Sequence, residues 1–162
     1  MRVIVMGVAG CGKSTVGAAV ANNLSAVYSD GDDLHPPANI AKMSAGTPLD
    51  DDDRAPWLDL VGERLRDADG PILVGCSALK RSYRDRITAA AGGSVTFLHL
   101  SGTRQVIEAR MSAREGHFMP VALLDSQFAT LEPLQDGERS VIVDIDQTLA
   151  AVVTECTRGL TA

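Results

Sequence analysis

Residues Gly7–Ser14 read GVAGCGKS, and no other stretch restricts the possible fold as much. The pattern G-x-x-x-x-G-K-[ST] works only between a buried strand and a helix. Here the apolar run RVIVMG (Arg2–Gly7) precedes it, and the stretch Lys13–Leu24 follows with helical character. Its glycines let successive backbone N–H groups turn toward phosphate oxygens, and the helix N-terminus adds its partial positive charge. Lys13 is placed to reach the β- and γ-phosphates of a nucleotide, and the Ser14 hydroxyl to ligate Mg²⁺. A chance glycine-rich turn would not come with both flanking elements. The expected cofactors are therefore ATP and Mg²⁺, held by Gly7, Val8, Ala9, Gly10, Cys11, Gly12, Lys13, Ser14 and Thr15. Cys11 reads as a small filler of this loop, since a thiolate there would repel phosphate.

The rest of the chain repeats the strand–helix theme. Apolar runs at Arg2–Gly7, Ala26–Ser29, Pro71–Gly75, Val95–Leu100 and Ser140–Asp144 are strand candidates. Most are apolar on both faces, as strands covered by helices on both sides should be. Between them lie helix candidates near Lys13–Leu24, Ala55–Ala68, Lys80–Ala91, Thr103–Arg114 and Gln147–Arg158. This alternation predicts an α/β protein with a doubly wound parallel sheet in three layers. With 162 residues and no repeat or linker, a single domain spanning 1–162 is expected. Two stretches depart from the alternation. Residues 35–54 read as loop or short irregular helix, and Val121–Leu131 carries helical spacing after Pro120. Insertions at the carboxyl ends of strands are where α/β proteins handle substrates. An acceptor-binding insertion at about 35–57 and a helical lid at about 114–133 follow as expectations.

Bulk properties exclude several functions. A net charge of −6 is the wrong sign for a non-specific nucleic-acid binder. The three cysteines are far apart and include no C-x-x-C pair, which supports neither zinc nor disulfides and suits a reducing, cytoplasmic setting. No apolar run reaches membrane length. The expected partner is a small molecule, with no nucleic acid and no membrane.

Whether the γ-phosphate is transferred, hydrolysed or merely sensed depends on where the acids lie. The central strand candidates end in Gly75-Cys76 and in His-Leu-Ser-Gly, without the acidic residue that many ATPases place there. No N-K-x-D guanine-reading motif occurs. The acids gather instead in DGDDLHP, after the second strand, at Asp30, Asp32 and Asp33. In a doubly wound sheet this position lies beside the phosphate loop. Carboxylates there can meet both a metal and a second substrate, which favours a kinase. A kinase must also keep water from the γ-phosphate, usually by closing a lid. Arg110 and Arg114 sit where such a lid begins. They can stack on adenine or neutralise the transferred phosphoryl group; the plainer reading of Arg110 is a solvated helix face shared with Glu108 and Arg114.

Taken together, GVAGCGKS, DGDDLHPPANIAKMSAGTPLDDDDRAPWL, CSALKRSYRDRI and GHFMPVALLDSQFATLEPL resemble the gluconokinase family of small P-loop kinases. The match spans most of residues 3–147. Shikimate kinases and nucleoside monophosphate kinases share the general architecture but not the long second run. Cys11 in place of a Ser-type filler and a short tail after Glu155 are mild departures. The resemblance implies transfer of phosphate from ATP to the 6-hydroxyl of D-gluconate. It also implies a five-stranded parallel core in the order 2-3-1-4-5, like that of shikimate kinase, and the homodimer usual for the family.

Roles can then be assigned as hypotheses. Asp32 contacts the attacking hydroxyl and accepts or aligns its proton, a function typically worth about 10²–10⁴-fold. Asp30, on the same side of an extended chain, holds Mg²⁺ with Ser14, and Asp33 caps the following turn. Lys13 and Arg114 complete the catalytic set. For the substrate carboxylate, Arg54, Lys80 and Arg81 offer cations. Arg54 has the alternative of a surface ion pair with Asp50 or Asp51, and the aspartate run reads as a solvated helix start. His35 bonds either a substrate hydroxyl or its own loop. Gly75 and Cys76 allow close backbone approach, Ser77 caps the next helix, and His117 and Gln127 are further acceptor-site candidates. The segment 143–147 is expected to border the adenine. The main rival from another class is a nucleotide-gated module that transfers nothing.

Overall fold

The computed structural model describes residues 1–113 and 121–162. Its five strands are β1 (Arg2–Met6), β2 (Val27–Asp30), β3 (Ile72–Gly75), β4 (Thr96–Ser101) and β5 (Arg139–Asp144). All neighbouring pairs run parallel, in the order β2-β3-β1-β4-β5. The helices are α1 (Lys13–Asn23), α2 (Pro37–Ser44), α3 (Asp51–Arg66), α4 (Arg81–Ala91), α5 (Arg104–Ser112), α6 (Val121–Thr130) and α7 (Leu149–Thr161). None of the described helices is long and apolar enough to cross a membrane.

Alternation along each strand divides the core in two. Val3, Val5, Leu73, Leu98 and Val143 face α1, α5 and α7, where Val16, Val20, Ile107, Val152 and Cys156 meet them. Ile4, Met6, Ile72, Val74 and Phe97 face α3 and α4, against Trp57, Leu58, Val61 and Ile87. Strands buried on both faces explain the near-continuous apolar runs.

Three local readings change. Residues 35–54 are more ordered than the proline and glycine content suggests: Pro37 opens α2, and α3 begins at Asp51 instead of Ala55. The cause is a capping box. Asp50 accepts from the Asp53 N–H (2.8 Å), and the Asp53 carboxylate accepts from the Asp50 N–H (3.0 Å). The aspartate run is thus the helix start its charge suggested, with Asp50 as the cap and Asp51–Asp53 in the first turn; the helix tolerates Pro56 inside it and gains from negative charge at its N-terminus. Ser77 does not cap α4. Lys80 holds the cap position without a side-chain bond, and the Ser77 carbonyl instead accepts from the Gly7 N–H at 3.3 Å. Asp33 does not cap the turn after β2; Asp30 does, accepting from the Asp32 N–H at 2.9 Å.

The segment between β3 and α4 passes below the phosphate loop, and Ala78 takes a left-handed φ of 48° there. Arg84, fully buried, holds it in place. Its Nη1 donates to the Ala78 and Leu79 carbonyls (2.9 and 3.2 Å), and its Nε and Nη2 bond the carboxylate of Glu138 (2.6 and 3.3 Å). Nη2 also reaches the Pro133 carbonyl at 3.3 Å, so all five guanidinium hydrogens are used. Burial pushes the Glu138 pKa up, but Arg84 and the Gln135 N–H outweigh it and hold the carboxylate below its ordinary value. Removing one member of such a pair leaves the other charged and buried. Arg84→Met is expected to cost about 3–5 kcal/mol, read as the urea midpoint at constant slope. The double variant Arg84→Met/Glu138→Gln should recover part of that loss.

Candidate active site

Parallel register sets the carboxyl ends of the strands along one rim. Val5 and Asp30 both align with Gly75, and Ser101 aligns with Asp144. The phosphate loop therefore leaves β1 between the ends of β3 and β4, with the acidic turn after β2 two strands away.

Gly12 precedes α1 with φ 98° and no capping side chain, so the first N–H groups of the helix stay available to an anion. Gly7 is constrained differently. A Cβ there would stand 2.9 Å from the Leu100 carbonyl and 2.7 Å from the Cys11 sulfur. Lys13 folds back over the loop, its Nζ donating to the Gly7 and Val8 carbonyls at 3.1 and 3.2 Å. Cys11 is buried, and burial raises its thiol pKa, in keeping with a neutral filler. The Ala9 N–H donates to Gln127 Oε1 of α6 at 2.6 Å. Gln127 is thus engaged with the phosphate loop.

Beside the loop lies a cleft of about 250 Å³, lined among others by Gly10, Gly12, Thr15, Arg110, Ile145 and Leu149. Arg110 donates through Nη2 to the carbonyls of Ile145 and Gln147, the latter at 2.8 Å. This ties α5 to the β5–α7 connection and makes Arg110 a wall of the cleft. The position suits a base and ribose whose phosphates lie on the loop.

On the opposite side, the chain after β2 does not stay extended. Gly31–Leu34 form a 3₁₀ turn, so the expectation that Asp30 and Asp32 project together from an extended chain is replaced by a tighter geometry. Gly31 is obligatory at this turn, because a Cβ would stand 2.4 Å from the Gly75 carbonyl. Trp57 Nε1 donates to the Gly31 carbonyl at 2.8 Å and anchors the turn to α3. Asp32 is held above the usual carboxylate range by lost hydration and then by the Asp30 charge, opposed by His35 and Lys13. Its carboxylate therefore lies within electrostatic reach of the phosphate-loop lysine.

Among the described residues no group of three or more His, Cys, Asp or Glu is arranged to hold a metal. A Mg²⁺ carried by a nucleotide keeps several waters and needs few protein ligands, and Ser14 and Asp30 are the candidates to supply them. Tyr28 adds an independent sign. Its ring packs where a Cβ on Gly17 would be, at 2.5 Å, and its hydroxyl where one on Gly75 would be, at 2.3 Å; that buried hydroxyl has no well-formed hydrogen bond among the described residues. That hydroxyl lies near Ser14, with Asp30 and Asp32 acting on it electrostatically. Ser14 and Asp30 thus flank one polar corner, which suits a hydrated cation.

The cations nominated for a substrate carboxylate separate into two sets. Lys80 and Arg54 both pair with Asp51, at 3.2 and 3.9 Å, and the Tyr83 hydroxyl donates to the same carboxylate at 2.5 Å. Two cations thus share one anion and leave net positive charge. Arg81 turns elsewhere, to Asp85 at 2.8 Å, Gln135 and Glu138. Lys42 is occupied by Asp53 at 2.6 Å. Cys76 is buried and its thiol pKa is pushed up to about 12, chiefly by burial, so it adds close packing and no nucleophile. Arg114 and His117 lie outside the described residues. Residues that motif reading passed over are Tyr28, Asn39 and Tyr83; an aromatic or amide within an ordinary element carries no spacing signal.

No protein-family model matches the chain. The thermosensitive gluconokinase of Escherichia coli K12 is 47% identical over 98% of this chain and 87% of its own length. The thermoresistant gluconokinase of the same strain is 45% identical over 93% and 87%. A crystal structure of a gluconokinase from Sinorhizobium meliloti 1021 superposes with TM-score 0.87 at 50% identity, covering 99% of this chain and 91% of that one. Shikimate kinase from Aquifex aeolicus shares the fold, with TM-score 0.63 and 15% identity over 99% of this chain and 96% of that one.

Proposed function

The chain belongs to the gluconokinase family, and we propose that it transfers the γ-phosphoryl group of ATP to the 6-hydroxyl of D-gluconate. The observation that carries this reading is the pairing, along one rim, of a complete phosphate loop with a carboxylate turn anchored by Trp57. The acceptor lies between Asp32 and the loop. Its hydroxyl oxygen forms the new P–O bond as the bond to the β–γ bridging oxygen breaks; ADP leaves with that electron pair, and the hydroxyl proton passes to Asp32. Lys13 and the N-terminal amides of α1 offset the charge on the phosphoryl oxygens. Ser14 and Asp30 would hold Mg²⁺, which supplies further charge neutralisation at the phosphates.

Arg54 and Lys80 are the cations best placed for the gluconate carboxylate, because Asp51 neutralises only one of them. Arg54→Met is expected to raise KM for gluconate about 10–100-fold and to leave KM for ATP nearly unchanged. Initial rates with each substrate varied in turn check this. Equal effects on both constants would remove Arg54 from the acceptor site.

The reading as a whole is tested by ADP release with D-gluconate, other sugar acids, shikimate and nucleoside monophosphates at matched concentrations. Gluconate should give the highest rate. A rate unchanged by any acceptor would instead support a nucleotide-gated module.

A further inference from the structure

Asn39, 4% exposed on α2, is one of three buried polar or charged residues among the described residues, and its two contacts determine the chemistry of a neighbour. Its Nδ2 lies 3.0 Å from the Asp53 carbonyl and 3.2 Å from His35 Nδ1. A backbone carbonyl only accepts, so the amide nitrogen must face it. The second hydrogen of that same nitrogen points to His35, whose Nδ1 must then carry a lone pair. The hydrogen of a neutral imidazole is consequently on Nε2.

The ring is also fixed in plane. It stacks on Trp57 with centroids 4.2 Å apart and an interplanar angle of 15°. Trp57 is itself tethered to Gly31, next to Asp32. Burial lowers the His35 pKa, and Arg54 adds to that effect while Asp32 opposes it, so the neutral ring is favoured. Nε2 has no partner among the described residues.

We propose that Asn39 is a positioning residue for the acceptor site, fixing His35 as an Nε2–H donor of one hydrogen-bond sense. His35 then selects ligand atoms that accept, such as a hydroxyl or carboxylate oxygen, and rejects an ammonium group at the same place. Asn39 itself touches no substrate. The kinetic part of this inference rests on the kinase reading; the tautomer does not.

Long-range ¹H–¹⁵N correlation spectra of the labelled protein test it directly. The His35 signals are identified by their loss in His35→Gln. The wild-type ring should show a protonated Nε2 and an unprotonated Nδ1. Asn39→Asp presents acceptors only, and should move the hydrogen to Nδ1 or protonate the ring while raising KM for gluconate about tenfold or more. KM for ATP should change less than about twofold. A protonated Nδ1 in the wild type, or an unchanged His35 spectrum in Asn39→Asp, overturns the proposal.

Because Asn39→Asp places a carboxylate near the Asp53 carbonyl and can impair folding, a second pair of variants is independent of it. The amide nitrogen of Gln falls near the imidazole Nε2 position, and that of Asn near Nδ1. His35→Gln should therefore retain gluconate turnover about tenfold better than His35→Asn. Equal loss in both contradicts the donor role. If the true acceptor is not gluconate, the spectra keep their predicted pattern while gluconate kinetics show no response to either pair.

Discussion

Asp32→Asn is expected to lower kcat by about 10²–10⁴-fold while KM for ATP stays near its wild-type value. Asparagine keeps the size of the side chain and can still accept a hydrogen bond, but it cannot take the hydroxyl proton. The pH profile separates this role from simple alignment. Lost hydration and the Asp30 charge raise the Asp32 pKa, so the active, ionised form is lost as pH falls through a value above the ordinary carboxylate range. The acid limb of kcat/KM should lie there in the wild type and vanish in the variant. Stability should move the other way. A carboxyl with a raised pKa in the folded state disfavours folding once it is ionised, fully so above that pKa. Asp32→Asn should consequently match or exceed the wild-type Tm at neutral pH, a test that a merely damaged fold would fail. If Asp30→Asn abolished turnover and Asp32→Asn did not, the two roles would be exchanged.

Lys13→Met is the second large effect, a loss of about 10²–10³-fold or more in kcat with a higher KM for ATP. The lysine ammonium lies against the Gly7 and Val8 carbonyls, contacts it can exchange for phosphate oxygens. Methionine preserves the stem and removes the charge. Lys13→Arg should restore little, because a planar guanidinium does not fit a pocket shaped for a compact ammonium. Isothermal titration with a non-hydrolysable ATP analogue checks the binding part, and single-turnover kinetics the chemical part. Wild-type kcat in Lys13→Met would exclude any role for this side chain in the transition state.

The fold was legible wherever one local signal dominated. GVAGCGKS between an apolar strand and a helix places β1 and α1, and two-faced apolar runs place the other strands. Legibility failed where side chains satisfy backbone groups across short distances. Composition makes 35–54 look irregular, but the Asp50–Asp53 capping box and Pro37 create two helices there. The same reason moved the cap from Asp33 to Asp30: a 3₁₀ turn changes the direction of every side chain after β2. In the candidate site, charge and motif point to Asp32 and Lys13, which act on each other electrostatically, and to Arg54 and Lys80, which share Asp51. They do not distinguish Arg81, whose alternative partners Asp85 and Gln135 are settled only by packing. Asn39 and Tyr28 act through single buried atoms, and nothing in their spacing announces this.

The central claim concerns where the phosphate goes, and proton-coupled ³¹P NMR of the product formed from ATP and D-gluconate tests it most directly. Phosphorus on the primary 6-hydroxyl couples to the two protons of the terminal carbon and should appear as a triplet, absent when gluconate or the protein is omitted. A doublet would place the phosphate on a secondary hydroxyl, a singlet on the carboxylate. Either pattern, or inorganic phosphate as the only product, would contradict the account.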